Sequence, residues 1–129
     1  MRHKAKIVLA LLVLNFISGP ACASNEAYLQ KVVSAIEKAE NSAKYPFGIK
    51  SVKVNSYQEA KQTCLNVVRY RYWLWSTRSD VAPSPKSQGL DFISYLASSY
   101  CPIGAPDDKK TNVNRFWISN VNHFLTGVA

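Results

Sequence analysis

LQKVVSAIEKAENSAKYPFGI, residues Leu29 to Ile49, is the stretch whose reading decides the fold. At about 100° per residue, Leu29, Val32, Val33, Ile36 and Ala39 share one face of a helix. Glu40 falls on that same face, between the directions of Val33 and Ile36, whereas Glu26 and Glu37 lie at its margins. A carboxylate on a buried stripe is costly unless it is paired or protonated, which makes Glu40 the first candidate for a functional role. Ser24 or Asn25 is the expected N-cap, with Glu26 in the first turn where the helix dipole favours it. Pro46 disfavours helical angles at Tyr45, so the helix is expected to end before Pro46.

Upstream of this helix the chain has a different character. Arg2, Lys4 and Lys6 precede an apolar run from Ile7 to Leu14, Gly19-Pro20 breaks the pattern, and Ala21-Cys22-Ala23 has the small residues of a cleavage site. Residues 1–23 therefore read as a secretory signal peptide, leaving 24–129 as a single helical domain in the periplasm or outside the cell. The apolar run is shorter than the ~18–20 residues of a spanning helix, and no integral membrane segment is expected after cleavage. Loss of the three basic residues lowers the formal charge from +8 to +5. That excess suits an anionic partner such as a cell-wall polymer or membrane surface, and equally suits plain solubility. Export makes nucleic acid the least natural partner.

Downstream, Pro46 to Asn55 alternates weakly and carries β-branched residues, so it reads as an extended segment or short strand. Ser56 and Glu59 form a capping box that opens a second helix reaching Trp75 or Ser76. Tyr57, Ala60, Cys64, Val67, Val68 and Trp75 line its apolar face, which Arg71 interrupts. Thr77 to Gly89 reads as an exposed, mobile polar loop with Pro83 and Pro85. A third helix is expected over Leu90 to Tyr100, with Ile93, Leu96, Ala97 and Tyr100 inward. A last helix, capped by Asn112, carries Val113, Trp117, Val121, Phe124 and Leu125 on its stripe. The class is mainly α: a small helical domain with a short extended segment.

After leader removal two cysteines are left, Cys64 and Cys101. In an oxidising compartment they are expected to form a disulfide. It would close a loop of about 37 residues and contribute on the order of 3–4 kcal/mol. Two free thiols or a metal pair are the alternatives. With His123 as the one histidine beyond the leader and no C-x-x-C, neither a metal site nor a cofactor is expected. The chain also lacks G-x-S-x-G, so no serine triad is expected at His123.

Burial and a helix C-terminus both raise a carboxyl pKa. Glu40 is thereby pushed toward the protonated state that a general acid on a glycosidic oxygen requires. The competing role is structural, with Glu40 paired to Arg71, to Lys44 or to a helix end. A second competing possibility is a helix that ends one turn early and leaves Glu40 exposed.

Ala35-Ile36-Glu37-Lys38-Ala39-Glu40-Asn41-Ser42, followed by Pro46-Phe47-Gly48-Ile49, resembles the first motif of the lysozyme-like lytic transglycosylases. That family carries an Ala-Ile-x-x-x-Glu-Ser pattern on a helix, and its glutamate is the catalytic acid/base. Here Asn41 separates Glu40 from Ser42, and Gly48-Ile49-Lys50-Ser51 stands where the family has Gly-Leu-Met-Gln. The match covers residues 29–52. Asp91-Phe92-Ile93, Tyr100-Cys101-Pro102 and Trp117 to Val121 are more loosely similar to small exported proteins of this sort. The resemblance implies a lysozyme-like helical fold acting on peptidoglycan glycan strands. It implies Glu40 as the catalytic acid and Ser42, Tyr45 and Ser51 as substrate-binding groups lining the cleft. A hydrolase needs a second carboxylate, for which Asp91 and Glu59 are the candidates; a lone acid favours the anhydro-forming transglycosylase reaction. The rival reading is a non-enzymatic exported helical protein, wall-binding or inhibitor-like. A third is a membrane-surface protein acting through its charge, which the lack of a strongly basic amphipathic helix opposes.

Overall fold

The computed structural model describes residues 20–77, 82–100 and 114–127. Within them the chain is helical, with no strand. Helix α1 spans Pro20–Glu40, α2 Tyr57–Ser76, α3 Phe92–Tyr100 and α4 Trp117–Thr126, the last preceded by a 3-10 turn over Asn114–Phe116. Among the described residues no helix is long and apolar enough to cross a membrane.

Helix α1 is the centre of the arrangement, packed on both α4 and α2, while α3 packs on α2 and α4. Its predicted stripe is buried at Leu29, Val32, Val33 and Ile36, with Ala35 added to the core and Ala39 half-buried. Ala60, Cys64, Leu65 and Val68 face it from α2, Phe92, Ile93, Leu96 and Ala97 from α3, and Trp117 and Val121 from α4. Each fully buried aliphatic side chain contributes about 1.5–3 kcal/mol relative to exposure. Tyr57, expected on the inner face of α2, is exposed; its ring lies 5.7 Å from that of Phe47, and its hydroxyl donates to Glu37 Oε2.

The element boundaries differ from expectation at three places. Helix α1 already contains Ser24 and Asn25, the expected caps. The Ala-rich approach to them favours helix, and Asn25 Oδ1 instead accepts from Tyr72 Oη at 3.4 Å. At its other end α1 stops at Glu40, several residues before Pro46. Asn41 is the cause: it adopts a left-handed φ of 45°, and its N–H closes on the Glu37 carbonyl at 3.1 Å. Asparagine is one of the few residues that tolerate this C-cap geometry. Helix α3 begins at Phe92 because Asp91 caps it, accepting from the Ser94 N–H at 3.0 Å, which leaves Leu90 outside and exposed.

Helix α2 opens as expected: Ser56 Oγ accepts from the Glu59 N–H at 3.1 Å. The glutamate's return bond goes one residue further back than in a standard capping box, to the Asn55 N–H at 2.9 Å. The segment from 46 to 55 has no strand pairing and is irregular; Phe47 anchors it in the core, with Ile49 and Val54 half-buried. The Pro-containing loop is less open than expected. Ser84 is buried and accepts from the Ser87 N–H, the Lys86 N–H bonds to the Trp75 carbonyl, and Trp75 Nε1 donates to the Leu90 carbonyl at 2.7 Å. An indole N–H in the partly buried cluster needs such an acceptor, and the loop supplies it. Asn112 and Val113, the expected start of the last helix, lie outside the described residues; Gly127 ends α4 in the left-handed conformation.

Candidate functional site

Glu40 is the last residue of α1, so its backbone sits at the negative end of the helix dipole. The left-handed turn at Asn41 sends the chain back across that end. Ser42 Oγ then accepts from the Tyr45 N–H at 3.1 Å, and the Tyr45 carbonyl accepts from the Gly48 N–H at 2.9 Å. These two bonds fold residues 42–48 into a compact turn that lays Gly48 directly on the Glu40 carboxyl group. A Cβ placed on Gly48 would lie 2.6 Å from Glu40 Cδ and Oε1 and 2.8 Å from Oε2. Gly48 also has φ +72°. Glycine is therefore required there twice over, for the backbone conformation and for the close approach.

Trp117, the first residue of α4, closes the other side. It is buried, and its indole Nε1 donates to Glu40 Oε1 at 3.0 Å. Its ring stacks on Tyr100 of α3, with centroids 5.3 Å apart, and the Tyr100 hydroxyl donates to the Phe47 carbonyl. Three helices and the turn thus hold one carboxylate. Oε2 accepts no hydrogen bond among the described residues, and no buried side-chain polar atom there lacks a partner, so this oxygen reaches solvent. Burial pushes the Glu40 carboxyl above its ordinary range, while the Trp117 N–H and the Lys50 charge pull back in part. The net direction is upward, toward a carboxyl that holds its proton.

Arg71 is not the counter-ion. Its guanidinium lies over the Tyr70 ring, 6.0 Å from the centroid, and among the described residues the ion pair joins Arg69 to Glu26 instead. Lys44 is likewise turned away, 5.4 Å above the Tyr45 ring. Helix α1 does end one turn early, but Glu40 is half-buried all the same, because Gly48 and Trp117 cover it.

The other sequence candidates divide. Tyr45 shares Lys50 with the site: the Lys50 ammonium lies 5.6 Å from the Tyr45 ring centroid and acts electrostatically on Glu40. Ser42 acts on the backbone of the turn. Ser51 is exposed and makes no contact with Glu40. Neither candidate for a second carboxylate touches Glu40. Asp91 is held below its ordinary pKa by the Ser94 cap bonds, and Glu59 is spent on the cap of α2. The role of Trp117 was not legible as more than a core position. The available signal is that a buried indole N–H demands an acceptor, and Glu40 is the acid on the facing stripe.

Cys64 is buried and in no disulfide; its Sγ lies 3.5 Å from Tyr100 Oη, and burial pushes its pKa up to about 11. Cys101, its expected partner, lies outside the described residues. Among the described residues no group of His, Cys, Asp and Glu side chains could hold a metal ion. His123 is exposed and packs edge-on against Phe124.

No family model matches the chain, and no curated protein or solved structure is similar to it.

Proposed function

We propose that this is an exported peptidoglycan-cleaving enzyme of lysozyme-like, mainly helical type, with Glu40 as its acid/base and a Cys64–Cys101 bridge in the mature protein. One observation carries it. Glu40 is a half-buried carboxylate with no ion-pair partner, aligned by the Trp117 N–H and pressed against Gly48, with one oxygen open to solvent. A merely structural acid would be expected to have a cation beside it or full solvation. The glycine against the carboxylate also agrees with the resemblance of residues 35–49 to the lytic transglycosylase motif, in which a glycine-containing segment walls the cleft.

In the proposed reaction Glu40 Oε2 gives its proton to the oxygen joining a muramyl C1 to the next glucosaminyl unit, and that C–O bond breaks. The carboxylate then takes the proton of the muramyl 6-hydroxyl as its oxygen closes on C1, forming the anhydro ring and restoring the acid. No second carboxylate is needed, consistent with Asp91 and Glu59 serving as caps. Lys50 and Tyr45 border the acid and are the groups placed to meet a glycan; Ser42 positions the turn.

A second reading rests on the Glu40–Trp117 bond itself. By tying the end of α1 to the start of α4, it would serve a non-enzymatic wall-binding or inhibitor-like domain equally well. The mature protein and its Glu40→Gln variant, incubated with purified peptidoglycan and assayed by mass for soluble products, separate the two. Release of anhydro-muropeptides by the wild type alone supports the enzyme. No release, or equal release by both, rejects it.

A further inference from the structure

Helix α2 carries its aromatic residues in two different settings. Tyr72 and Trp75 pack inward against Phe92, with ring centroids 5.1 Å and 5.5 Å from it. Tyr70 and Trp73 lie on the outer side and are 56% and 57% exposed. Their rings are 6.3 Å apart between centroids and within 24° of parallel, too far apart for direct face contact, so they stand side by side or as a shallow step. Arg71 lies against this pair, over Tyr70, and has no ion-pair partner among the described residues, whereas Arg69 is engaged with Glu26. Two large rings left in water beside an uncommitted guanidinium form an apolar and cationic patch that solvation does not explain.

The chemistry of the patch points to a partner with flat C–H faces and carboxylates. Sugar rings present such faces to aromatic side chains, and a planar guanidinium pairs with carboxylates in two-pronged fashion. The place of the patch in the fold gives its distance from the acid. Arg69 reaches Glu26, and from Glu26 to Glu40 the helix α1 is continuous; at 1.5 Å per residue that is about 21 Å. We propose that Tyr70, Trp73 and Arg71 form a second, non-catalytic glycan-holding site that retains a carboxylate-bearing peptidoglycan strand roughly 20 Å from Glu40. The proposal takes its substrate class from the reading of Glu40, yet its site is separate.

The test is co-sedimentation of the full chain with purified insoluble peptidoglycan, alongside turnover of short soluble glycan fragments. Two exposed stacking contacts together are worth at least ~1.4 kcal/mol, so the Tyr70→Ala/Trp73→Ala variant is expected to bind about tenfold more weakly. It should cleave short fragments at the wild-type rate. Tyr70→Phe/Trp73→Phe keeps both rings and should sediment like the wild type, which excludes misfolding as the cause. Arg71→Gln should also weaken sedimentation. Wild-type sedimentation by the double alanine variant overturns the proposal. So does binding to vesicles of anionic phospholipid that the variant loses while its peptidoglycan sedimentation is unchanged, since the patch would then be a membrane contact. If the wild type cleaves no glycan but the double alanine variant still fails to sediment, the Glu40 reading fails and the holding site stands.

Discussion

Gly48→Ala gives the sharpest test of how the site is built. Two costs are separable. The first is conformational: alanine at φ +72° occupies the left-handed region at about 1–2 kcal/mol. The second is steric. The new Cβ would lie 2.6 Å from Glu40 Cδ, and the carboxyl group, as the end of a flexible side chain, must swing away. Swinging away forfeits the 3.0 Å bond from Trp117 Nε1 and strands an indole N–H in the interior, at about 1.5–3 kcal/mol. The expected total is about 2.5–5 kcal/mol, or a fall in Tm on the order of 10–30 °C for a domain of this size. Gly89→Ala is the control. Gly89 has φ +87° but nothing within 4 Å of its Cβ position, so only the conformational cost should appear. Combining Gly48→Ala with Glu40→Ala should reduce the cost of the glycine substitution to the Gly89→Ala level, because the colliding group is gone. The assay is denaturant unfolding of the four variants, read as a double-mutant cycle. Equal costs for Gly48→Ala and Gly89→Ala, or no coupling between Gly48 and Glu40, would refute the close packing on which the site depends.

Other expected outcomes concern protons and thiols. Because the folded pKa of Glu40 lies above its unfolded value, the folded state binds more protons than the unfolded state between the two values. Its ionisation therefore costs stability as pH rises through that window; the cost is absent below the unfolded pKa and complete above the folded one. Glu40→Gln should abolish this contribution, equalling the wild type in acid and gaining on it near neutrality in thermal melts at several pH values. Trp117→Phe removes a donor that lowers the Glu40 pKa, so the alkaline limb of the pH–rate profile should move upward, with about 1.5–3 kcal/mol lost in unfolding. The Cys64 thiol, with its pKa up at about 11, should resist thiol reagents in the native protein at neutral pH. In the exported protein under denaturing, non-reducing conditions no thiol should be titratable; two would remove the Cys64–Cys101 bridge. Ser56→Ala should cost about 1 kcal/mol through loss of the α2 cap, seen in the unfolding midpoint.

Local and periodic features were legible in the sequence because they depend on neighbours along the chain. The apolar stripe of α1, the Ser56 cap and the end of α2 at Ser76 all follow from spacing and side-chain chemistry. The early stop of α1 was written locally too, in Asn41, but the proline further on is the louder signal and hid it. Glu40 stood out as an anomaly on its stripe, yet its environment depends on residues distant in sequence. Whether Arg71 neutralises it or Trp117 aligns it cannot follow from periodicity, since a helical wheel gives directions within one helix and not which helix faces it. Packing α4 against the end of α1 chose Trp117, and the turn over residues 42–48 chose Gly48. The sequence by itself determined the helices and the odd carboxylate among them. Only the tertiary structure decided that this carboxylate is unpaired and half-buried, because desolvation and hydrogen bonding are set by what other segments bring to it.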